Sequence, residues 1–414
     1  MSDDRYGLFE RYGVELEYMI VDEATLAVLP AADRLLAEAS GEPAGDLEVG
    51  PTVWSNELVL HVLEMKTGQP ATTLHGLTDI FQQSVTEANR RLGPSGALLL
   101  PGGMHPLMDP SREMKLWPHD HGDVYQTFDR IFDCRGHGWA NLQASHLNLP
   151  FHNDDEFARL HAAIRVVLPI LPALAASSPL QESRQTQRLD TRLAVYRSNA
   201  ARVPSVSGQV VPEPVTGEDE YRRVILERIY RDLEPLDPEG VLREEWVNSR
   251  GAIARFDRGT IEIRVLDMQE CPAADLAIAG AIVSVVRMLA EEATCPVRAM
   301  NAHPTDSLAN MLELTVADGE RAHLESRSYL DLFGWRRGAP CAVGALWSFL
   351  IERYLEDGPD RSAWERALEI ILSQGCLARR ILERTGPAPG RSAILAVYRE
   401  LSLCLATGSQ LRAR

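Results

Sequence analysis

The sequence predicts an α+β fold in which an antiparallel sheet is followed by a helical C-terminal portion. Segments with alternating apolar and polar residues, the pattern of half-buried strands, concentrate before residue 268. They are not separated by regular helices of roughly 10–15 residues, which disfavours a doubly wound parallel sheet. Helical periodicity dominates from residue 272 onward, where helices are expected over residues 273–293, 305–316, 342–356, 361–384 and 391–406.

The predicted elements before residue 268 follow from periodicity and from turn residues. The strand-like segments are residues 12–21, 57–67, 96–103 and 140–150, and a hairpin over 250–267 that turns at Asp257-Arg258-Gly259. The helical segments are residues 74–92, 154–176 with a bend at Pro169 and Pro172, and 218–233. Residues 198–217 hold three prolines and two glycines and are expected to form ordered irregular structure or a flap.

Composition and charge describe an acidic protein with enough apolar residues for an ordinary core. Of the 414 residues, 45% are hydrophobic, and 59 acidic residues outnumber 42 basic ones, which gives a net charge of −17. This balance argues against binding to nucleic acid or to an anionic membrane, because both require basic surface. It leaves small-molecule substrates open, since a local basic pocket can lie in an acidic protein.

The cysteine pattern and the N-terminal sequence favour a reduced, cytoplasmic protein. The cysteines show no CxxC spacing and are expected to be small core residues at positions 134, 271, 295, 341, 376 and 404. Residues 1–13 are acidic and lack the apolar region of a secretory signal, and no run of about 18 apolar residues predicts a transmembrane helix. The oligomeric state stays open, and a homo-oligomer is one alternative.

Four predicted strands place polar side chains on one face, because side chains two apart on a strand share a face. The polar pairs are Glu15 and Glu17, Glu64 and Lys66, His146 and Asn148, and Glu262 and Arg264. For any single strand, an ordinary solvated face is the simpler interpretation. The whole set, however, is rich in carboxylates, which would repel one another strongly if they were gathered on one concave surface.

A divalent cation would make this crowding tolerable. Carboxylate oxygens with one imidazole suit Mg²⁺ or Mn²⁺ better than zinc. Arg264, beside Glu262 on the same face, is placed to contact an anion that bridges the metals, and metals with an arginine facing one cavity are what phosphoryl transfer from ATP requires. The sequence contains neither GxxxxGK[ST] nor GxGxxG, so a nucleotide would need another binding architecture.

At these residues the sequence resembles the glutamate–cysteine ligase superfamily, nearest its carboxylate–amine ligase branch. The segments that carry the resemblance occur in the family's order and are GVELEYMIVD (13–22), LEMKTGQP (63–70), GGMHP (102–106), ASHLNLPF (144–151), LAASSP (174–179) and GTIEIRVLDMQECP (259–272). Each segment alone is a weak signal, and GVELE with GTIEIRxxD is the most diagnostic combination. The resemblance spans about residues 10–290 and does not reach the helical C-terminus.

The resemblance implies a glutamine-synthetase-like fold, in which a curved antiparallel sheet with helices on its outer face holds two or three Mg²⁺ around ATP. By position, Glu15, His146 and Glu262 would hold the metal near the γ-phosphate. Glu17 and Glu64 would hold the metal nearer the acceptor substrate. The implied organisation is a catalytic domain over residues 1–300 and a helical extension over 301–414 packed on the same domain.

The resemblance also implies roles for residues that contact the nucleotide. Arg264 would contact the transferred phosphoryl group, and Asn148 would support the nucleotide or metal site. Many bacterial relatives carry His-x-His where this chain has His146-Leu147-Asn148, although the His-x-Asn form also occurs in the superfamily. Arg255 shares a hairpin with Glu262 and is a further candidate, with Arg192, for contact with the nucleotide.

The implied activity is ATP-dependent amide formation between an amino-acid carboxylate and an amine, through an acyl phosphate, with γ-glutamyl transfer to cysteine or a similar amine as the typical reaction. Glu64 is the candidate to accept the ammonium proton. Two alternatives stay open. One is a guanidino kinase on a related sheet, and the other is a catalytically inactive binding protein.

Several other residues are ambiguous from the sequence. Glu57 lies seven residues before Glu64, so on a regular strand it would face away from the polar side unless a bulge turns it inward. His105 either borders the site or only forms a turn. Arg184 and Arg188 would make a basic stripe with Arg192 if the segment were helical, or else a solvated face. His119 and His121 are a weaker zinc candidate, because no cysteine lies near them.

Overall fold

The protein is built on an eight-stranded sheet, and a computed structural model describes residues 5–40 and 45–413. Its strands lie in the order β2-β3-β4-β1-β6-β10-β9, with β5 paired to the last residues of β1, and all of these pairs are antiparallel. Two further two-stranded sheets are β7-β8 and β11-β12. The strands are β1 (Gly13–Asp22), β2 (Asp46–Val49), β3 (Thr52–Asn56), β4 (Val62–Thr67), β5 (Ala97–Leu100), β6 (Ala144–Pro150), β7 (Leu180–Gln181), β8 (Arg184–Gln185), β9 (Ala252–Arg255), β10 (Thr260–Asp267), β11 (His323–Leu324) and β12 (Cys341–Ala342).

Helices make up most of the remaining structure. Those before residue 268 are α1 (Ala32–Ser40), α2 (Leu77–Leu92), α3 (Pro110–Glu113), α4 (Gly122–Phe132), α5 (His137–Ala140), α6 (Asp154–Val167), α7 (Pro172–Ala175), α8 (Thr191–Asn199), α9 (Glu218–Tyr221) and α10 (Glu227–Leu233). Those after it are α11 (Pro272–Ala290), α12 (Val297–Asn301), α13 (Thr305–Asp318), α14 (Arg327–Leu332), α15 (Val343–Tyr354), α16 (Arg361–Gln374), α17 (Leu377–Thr385) and α18 (Arg391–Thr407). The predicted α+β class with an antiparallel sheet is confirmed.

One predicted strand is wrong in part. The segment 57–67 contains a strand only from Val62, and β4 pairs with β3 so that Asn56 faces Leu63 across a loop over residues 57–61. Alternation in the sequence continues through that loop, which hid the turn. Strands β2 and β3 were not predicted, although the Gly50-Pro51 dipeptide between them, with Gly50 at φ 59°, is a turn signal.

The predicted helices are present, with interruptions where the sequence provides them. Prolines split the segment 154–176 into α6, a 3₁₀ turn over Leu168–Ile170 and α7. The segment 361–384 is two helices rather than one, because Gly375 adopts φ 88° between α16 and α17. The basic stripe is wrong. Arg184 lies in β8 and Arg188 in a loop, both exposed, so only Arg192 is on a helix.

Apolar side chains from the sheet and from both halves of the chain form one large core cluster, and a second, smaller cluster joins β1, β4 and β5 to α17 and α18. Leu16, Leu147 and Ile263, on the face opposite the polar pairs, are each at most 1% exposed. The large cluster includes side chains of α13, α15 and α16 beyond residue 300. The boundary at residue 300 stays a prediction. Residues 1–4 of the N-terminal segment used to argue against a secretory signal lie outside the described residues.

Helix α11 is the most apolar helix of the described chain and runs through this core. By length and composition it could cross a membrane, but 89% of its most apolar 18-residue stretch is buried inside the protein. It packs against α6 and α16. This burial is typical of the central helix of a soluble protein.

Helix α17 is tied to the segment after β10 by a buried ion pair. The Arg380 guanidinium donates a hydrogen bond to the carboxylate of Glu270, and both side chains are 0% exposed. Arg380 also donates to the carbonyl oxygens of Gly375 (3.1 Å) and Leu411 (2.6 Å). One side chain therefore connects the segment after β10, the break between α16 and α17, and the C-terminal residues.

Three buried histidines predict a loss of stability in mild acid, and His161 is the clearest. It is 1% exposed, stacks on Phe157 at 5.4 Å and has no hydrogen-bond partner at either ring nitrogen. Burial, aided by the charge of Arg165, lowers the pKa of His161 from 6.5 to about 3. Between pH 6.5 and 3 the unfolded chain therefore binds a proton that the folded protein does not, and stability falls as the pH falls.

Between pH 7 and pH 5, we expect the free energy of unfolding to fall by about 2 kcal/mol less in His161→Phe than in the parent. That difference is the linkage cost of one buried neutral histidine. Urea denaturation at the two pH values measures it. His323→Phe, at an exposed position, is the matched control and should keep the parent's pH dependence. Equal losses in the parent and in His161→Phe would contradict the prediction. His61 and His105, whose pKa values burial lowers to about 4, account for further acid sensitivity.

Candidate active site and metal centre

The strand register brings the polar residues of four strands onto one face of the sheet. On β1, Glu15 lies opposite Lys66 of β4 and His146 of β6, and Glu17 lies opposite Glu64. Across the next pair of strands, Asn148 lies opposite Glu262. Because β1, β4, β6 and β10 are consecutive neighbours in the sheet, side chains from distant parts of the sequence meet on one surface.

Two groups of metal-type ligands share His146. One consists of Glu15, His146 and Glu262, the other of Glu17, Glu64 and His146, and within each group the ligand atoms lie within 4.8 Å of one another. The imidazole Nδ1 is 3.0 Å from Glu15 Oε2, and its Nε2 is 3.6 Å from Glu17 Oε1. Carboxylate oxygens with one imidazole fit Mg²⁺ or Mn²⁺, and the two groups offer ligands for two ions.

The charges in this cluster show why a cation fits. Burial opposes a charge on His146, but its hydrogen bond with Glu15 and the charges of Glu17 and Glu262 outweigh burial and raise its pKa to about 9. Burial raises the pKa of Glu17, and burial with the charge of Glu15 raises that of Glu64 well above the usual range. Bound protons therefore reduce the repulsion among the carboxylates of this cluster, and a bound divalent ion would reduce it in the same way.

Neighbouring groups orient the carboxylates. Ser55 Oγ donates to Glu64 Oε2 at 2.6 Å, and the backbone N–H of Ala144 donates to Glu17 Oε2 at 2.7 Å. Asn148 Nδ2 donates to Glu15 Oε1 at 3.0 Å. Such outer contacts fix the direction in which a ligand oxygen points, which is what a preformed metal site needs.

Two cavities open on either side of the acidic cluster. The first, of about 490 Å³, is bordered by Glu17, Glu57, His146 and Arg264. The second, of about 650 Å³, is bordered by Glu15, Asn148 and Lys66, and by the backbone of Gly13 and Gly68. Arg258, in the turn of the β9–β10 hairpin, borders both.

The three arginines named from the sequence have different environments. Arg264 lies where the β6–β10 register shifts, with its Nε 3.0 Å from Glu262 and its Nη1 donating to the Asn248 carbonyl at 3.3 Å. Its side chain is 25% exposed and faces the first cavity. Arg255 also borders that cavity, 3.9 Å from Glu262 and 3.0 Å from Asp257.

Arg192 borders the first cavity but is bonded within the protein. Its Nε donates to the carboxylate of Asp267, and the arginine side chain is 2% exposed. Asp267 also accepts from Ser177 N at 2.8 Å and Ser178 Oγ at 2.7 Å. A Cβ on Gly103 would lie 2.4 Å from the Asp267 carboxyl carbon, so only glycine fits there.

Some residues left open by the sequence now have positions. Glu57 starts the loop over 57–61 and borders the first cavity, where burial and the charge of Glu17 raise its pKa to about 7. His105 lies outside both cavities, with Nε2 2.7 Å from the Leu26 carbonyl oxygen. His119 Nε2 lies 3.5 Å from Asp33 Oδ2. In the described chain, neither His119 nor His121 belongs to a cluster of side chains that could bind a metal ion.

Sequence reasoning missed the aromatic side of the first cavity. Tyr125 and Phe128 of α4, Trp139 of α5 and Trp246 border it. Trp246 lies more than 100 residues after the other three, so no periodic pattern links it to them. The run of aromatic residues around 125–139 was the available signal.

The chain is similar to other proteins over most of its length. An uncharacterized protein of Archaeoglobus fulgidus is 33% identical over 399 residues, 95% of this chain and 98% of that protein. A Rubrobacter xylanophilus protein named "Putative glutamate--cysteine ligase 2-3" is 28% identical over 288 residues, 67% of this chain and 70% of that protein. The crystal structure of glutamate–cysteine ligase from Francisella tularensis in complex with AMP has a TM-score of 0.61 at 15% identity, covers 96% of this chain and 89% of that chain, and shares the fold.

Fold, site and relatives together define a class, the carboxylate–amine ligases built on a large antiparallel sheet. The model of glutamate–cysteine ligase family 2 matches residues 11–390. The chain belongs to that family, as its sequence motifs predict. The match also extends through most of the C-terminal helices, beyond the stretch of about 10–290 in which the motifs lie.

Proposed function

We propose that the protein is an ATP- and Mg²⁺-dependent ligase that joins a carboxylate to an amine through an acyl phosphate, with γ-glutamyl transfer to cysteine or a similar amine as the type reaction. The observation that carries the proposal is the pair of ligand groups that share His146 between two cavities. Such a site can hold a nucleotide on one side and the reacting substrates on the other. The AMP bound to a protein of the same fold supports a nucleotide here.

The second cavity is the better candidate for the nucleotide. It is the larger one, and Arg11, Arg258 and Lys66 border it, the lysine paired with Asp46 at 3.0 Å. The backbone of Gly13 and Gly68 lines it without side chains, which permits close approach of a phosphate. Asn148 borders it beside Glu15, as its predicted supporting role requires.

The carboxylate and amine would then meet in the first cavity. Arg264 faces it from beside Glu262, where a planar guanidinium can contact phosphoryl oxygens through two N–H groups. When bound, Mg²⁺ would neutralise charge on the phosphate oxygens and on the crowded carboxylates. Glu64, fixed by Ser55, was predicted to accept the ammonium proton, but it borders neither cavity. Arg192 and Arg255 border the first cavity and not the second, so in this arrangement they would lie near the transferred phosphoryl group rather than near the rest of the nucleotide.

Two structural expectations belong to the same proposal. One is that the sheet curves around the site with helices covering its outer face, and the other is that residues 301–414 form an extension of the catalytic domain. A cytoplasmic location is also proposed, in keeping with six free, buried cysteines. No observation favours the guanidino kinase, because none of those cysteines borders either cavity.

A screen of acid and amine pairs tests the proposed reaction. ADP formation is followed with Mg²⁺ and ATP, and the amide is detected by mass. A ligase forms ADP and an amide only when both substrates are present. Phosphorylation of one guanidino substrate without an amide would replace the proposal with the kinase, and no turnover together with no nucleotide binding would favour a binding protein.

Metal binding can be tested without turnover. We expect Glu17→Gln and Glu64→Gln each to weaken Mn²⁺ binding by about 10- to 100-fold or more, since each removes a charged ligand. Electron paramagnetic resonance titration of free Mn²⁺ measures this. Glu383→Gln, at an exposed position on α17, is the matched control and should bind as the parent does. Unchanged Mn²⁺ affinity in both Glu17→Gln and Glu64→Gln would contradict the proposed metal centre.

A further inference from the structure

The outer wall of the first cavity is aromatic. Phe128 of α4 lies 5.3 Å from Trp139 of α5 and 5.9 Å from Trp246, measured between ring centroids. Phe132 supports this cluster from behind, 5.4 Å from Trp139. Trp139 and Trp246 are half-buried and border the cavity. Three separate elements therefore present ring surface to whatever enters.

Aliphatic side chains extend this wall toward the acidic cluster. Leu58, Val59 and Val62, from the loop after β3 and the start of β4, border the same cavity, as does Val124 of α4. At about 490 Å³ the cavity is within the ordinary size range of small-molecule sites. Apolar lining of this extent favours a ligand that brings apolar surface of its own, because the contact then removes both surfaces from water.

The charged groups of this cavity indicate which polar end fits. Each arginine that borders it already has a carboxylate within 4.0 Å: Arg192 has Asp267, Arg255 and Arg258 have Asp257, and Arg264 has Glu262. A carboxylate on the incoming amine would have to compete with these pairs. Glu57, by contrast, borders the cavity with no Lys, Arg or His nitrogen of the described chain within 4.0 Å.

We propose that the first cavity takes as its acceptor an arylalkyl amine, or an amine with a similarly bulky apolar body, that carries no carboxylate. Its ammonium group would face Glu57, and its body would lie against the rings of Phe128, Trp139 and Trp246. This assignment rests on the proposed ligase function for the reaction, but the binding preference itself follows from the cavity. It departs from an α-amino acid such as cysteine in both size and charge.

Binding of simple amines to the parent protein, in the presence of Mg²⁺, tests the preference directly. Isothermal titration calorimetry compares phenethylamine, phenylalanine, ethylamine and cysteine. We expect phenethylamine to bind about tenfold or more tightly than each of the others, since phenylalanine adds a carboxylate and ethylamine lacks the ring. Phenylalanine or cysteine binding as tightly as phenethylamine would overturn the proposal.

Variants locate the binding site. Trp246→Ala should weaken phenethylamine binding by about tenfold or more and leave ethylamine binding unaffected. Trp246→Leu retains apolar volume, so its affinity for phenethylamine should lie between those of the parent and Trp246→Ala. Leu403→Ala, at a 62% exposed position on α18, is the control and should match the parent. Equal affinity in Trp246→Ala and the parent would overturn the assignment to this wall.

The ADP screen separates this inference from the proposed function. If phenethylamine binds but no acid supports ADP formation, the proposed ligase reaction is contradicted, while the proposed preference of the cavity for arylalkyl amines is retained. ADP and amide formation with cysteine but not with phenethylamine would keep the ligase and overturn the acceptor class. Amide formation with phenethylamine at a higher kcat/KM than with cysteine is the expected result.

Discussion

Arg264→Lys is expected to lower kcat for amide formation by about 100- to 1000-fold while leaving the melting temperature unchanged. Arg264 is held by Glu262 at 3.0 Å and by the Asn248 carbonyl at 3.3 Å, so the guanidinium plane is fixed where it faces the first cavity. A lysine keeps the charge but offers one nitrogen, which cannot make two parallel contacts with a phosphoryl group. Steady-state ADP release measures the effect.

Arg361→Lys is the matched control for that substitution. Arg361 lies on α16 and pairs with Asp357 and Glu365 at the surface. The same loss of a guanidinium there should leave kcat unchanged. Parent-like turnover in Arg264→Lys with an unchanged melting curve would remove Arg264 from the reaction.

Arg380→Leu is expected to reduce the free energy of unfolding by about 3–5 kcal/mol, because it leaves the Glu270 carboxylate buried without its partner. Both side chains are 0% exposed, and the arginine also bonds the carbonyls of Gly375 and Leu411. Urea denaturation at pH 7 measures the loss. The double variant Arg380→Leu with Glu270→Leu should recover part of it, since no unpaired charge then remains.

The surface pair of Arg361 provides the comparison for this prediction too. Arg361→Leu should cost about 1 kcal/mol or less, as exposed ion pairs usually do. If Arg380→Leu cost no more than Arg361→Leu, the buried pair would not be what holds α17 to the segment after β10.

The polar face of the sheet was predictable because it depends on a period of two. Once Glu15, Glu17, His146 and Glu262 are placed on strands, their shared face follows from covalent geometry, and only the order of the strands is missing. The resemblance implied an antiparallel sheet, and the structure supplies the strand order. The register of β1 with β4 and β6, and of β6 with β10, then accounts for every member of the two ligand groups.

The residues that the sequence did not reveal depend on long-range packing. Glu57 turns toward the first cavity because the chain leaves β3 there, which alternation cannot show. Arg192 meets Asp267, 75 positions away in the sequence, so its bonding is visible only after folding. Helices α16 and α17 were merged into one, because a single glycine is a weak signal inside a strong helical pattern.

The aromatic wall and the acidic cluster belong to different parts of the architecture. The cluster lies on four hydrogen-bonded strands, whereas the wall is supplied by α4, α5 and a 3₁₀ turn at Glu245–Val247. Mutations in those three elements would reshape the proposed acceptor pocket without shifting the register of any strand. Under the proposed function, relatives that differ there would accept different amines while keeping the same candidate metal ligands, and directed evolution toward new amides should begin at positions 128, 139 and 246.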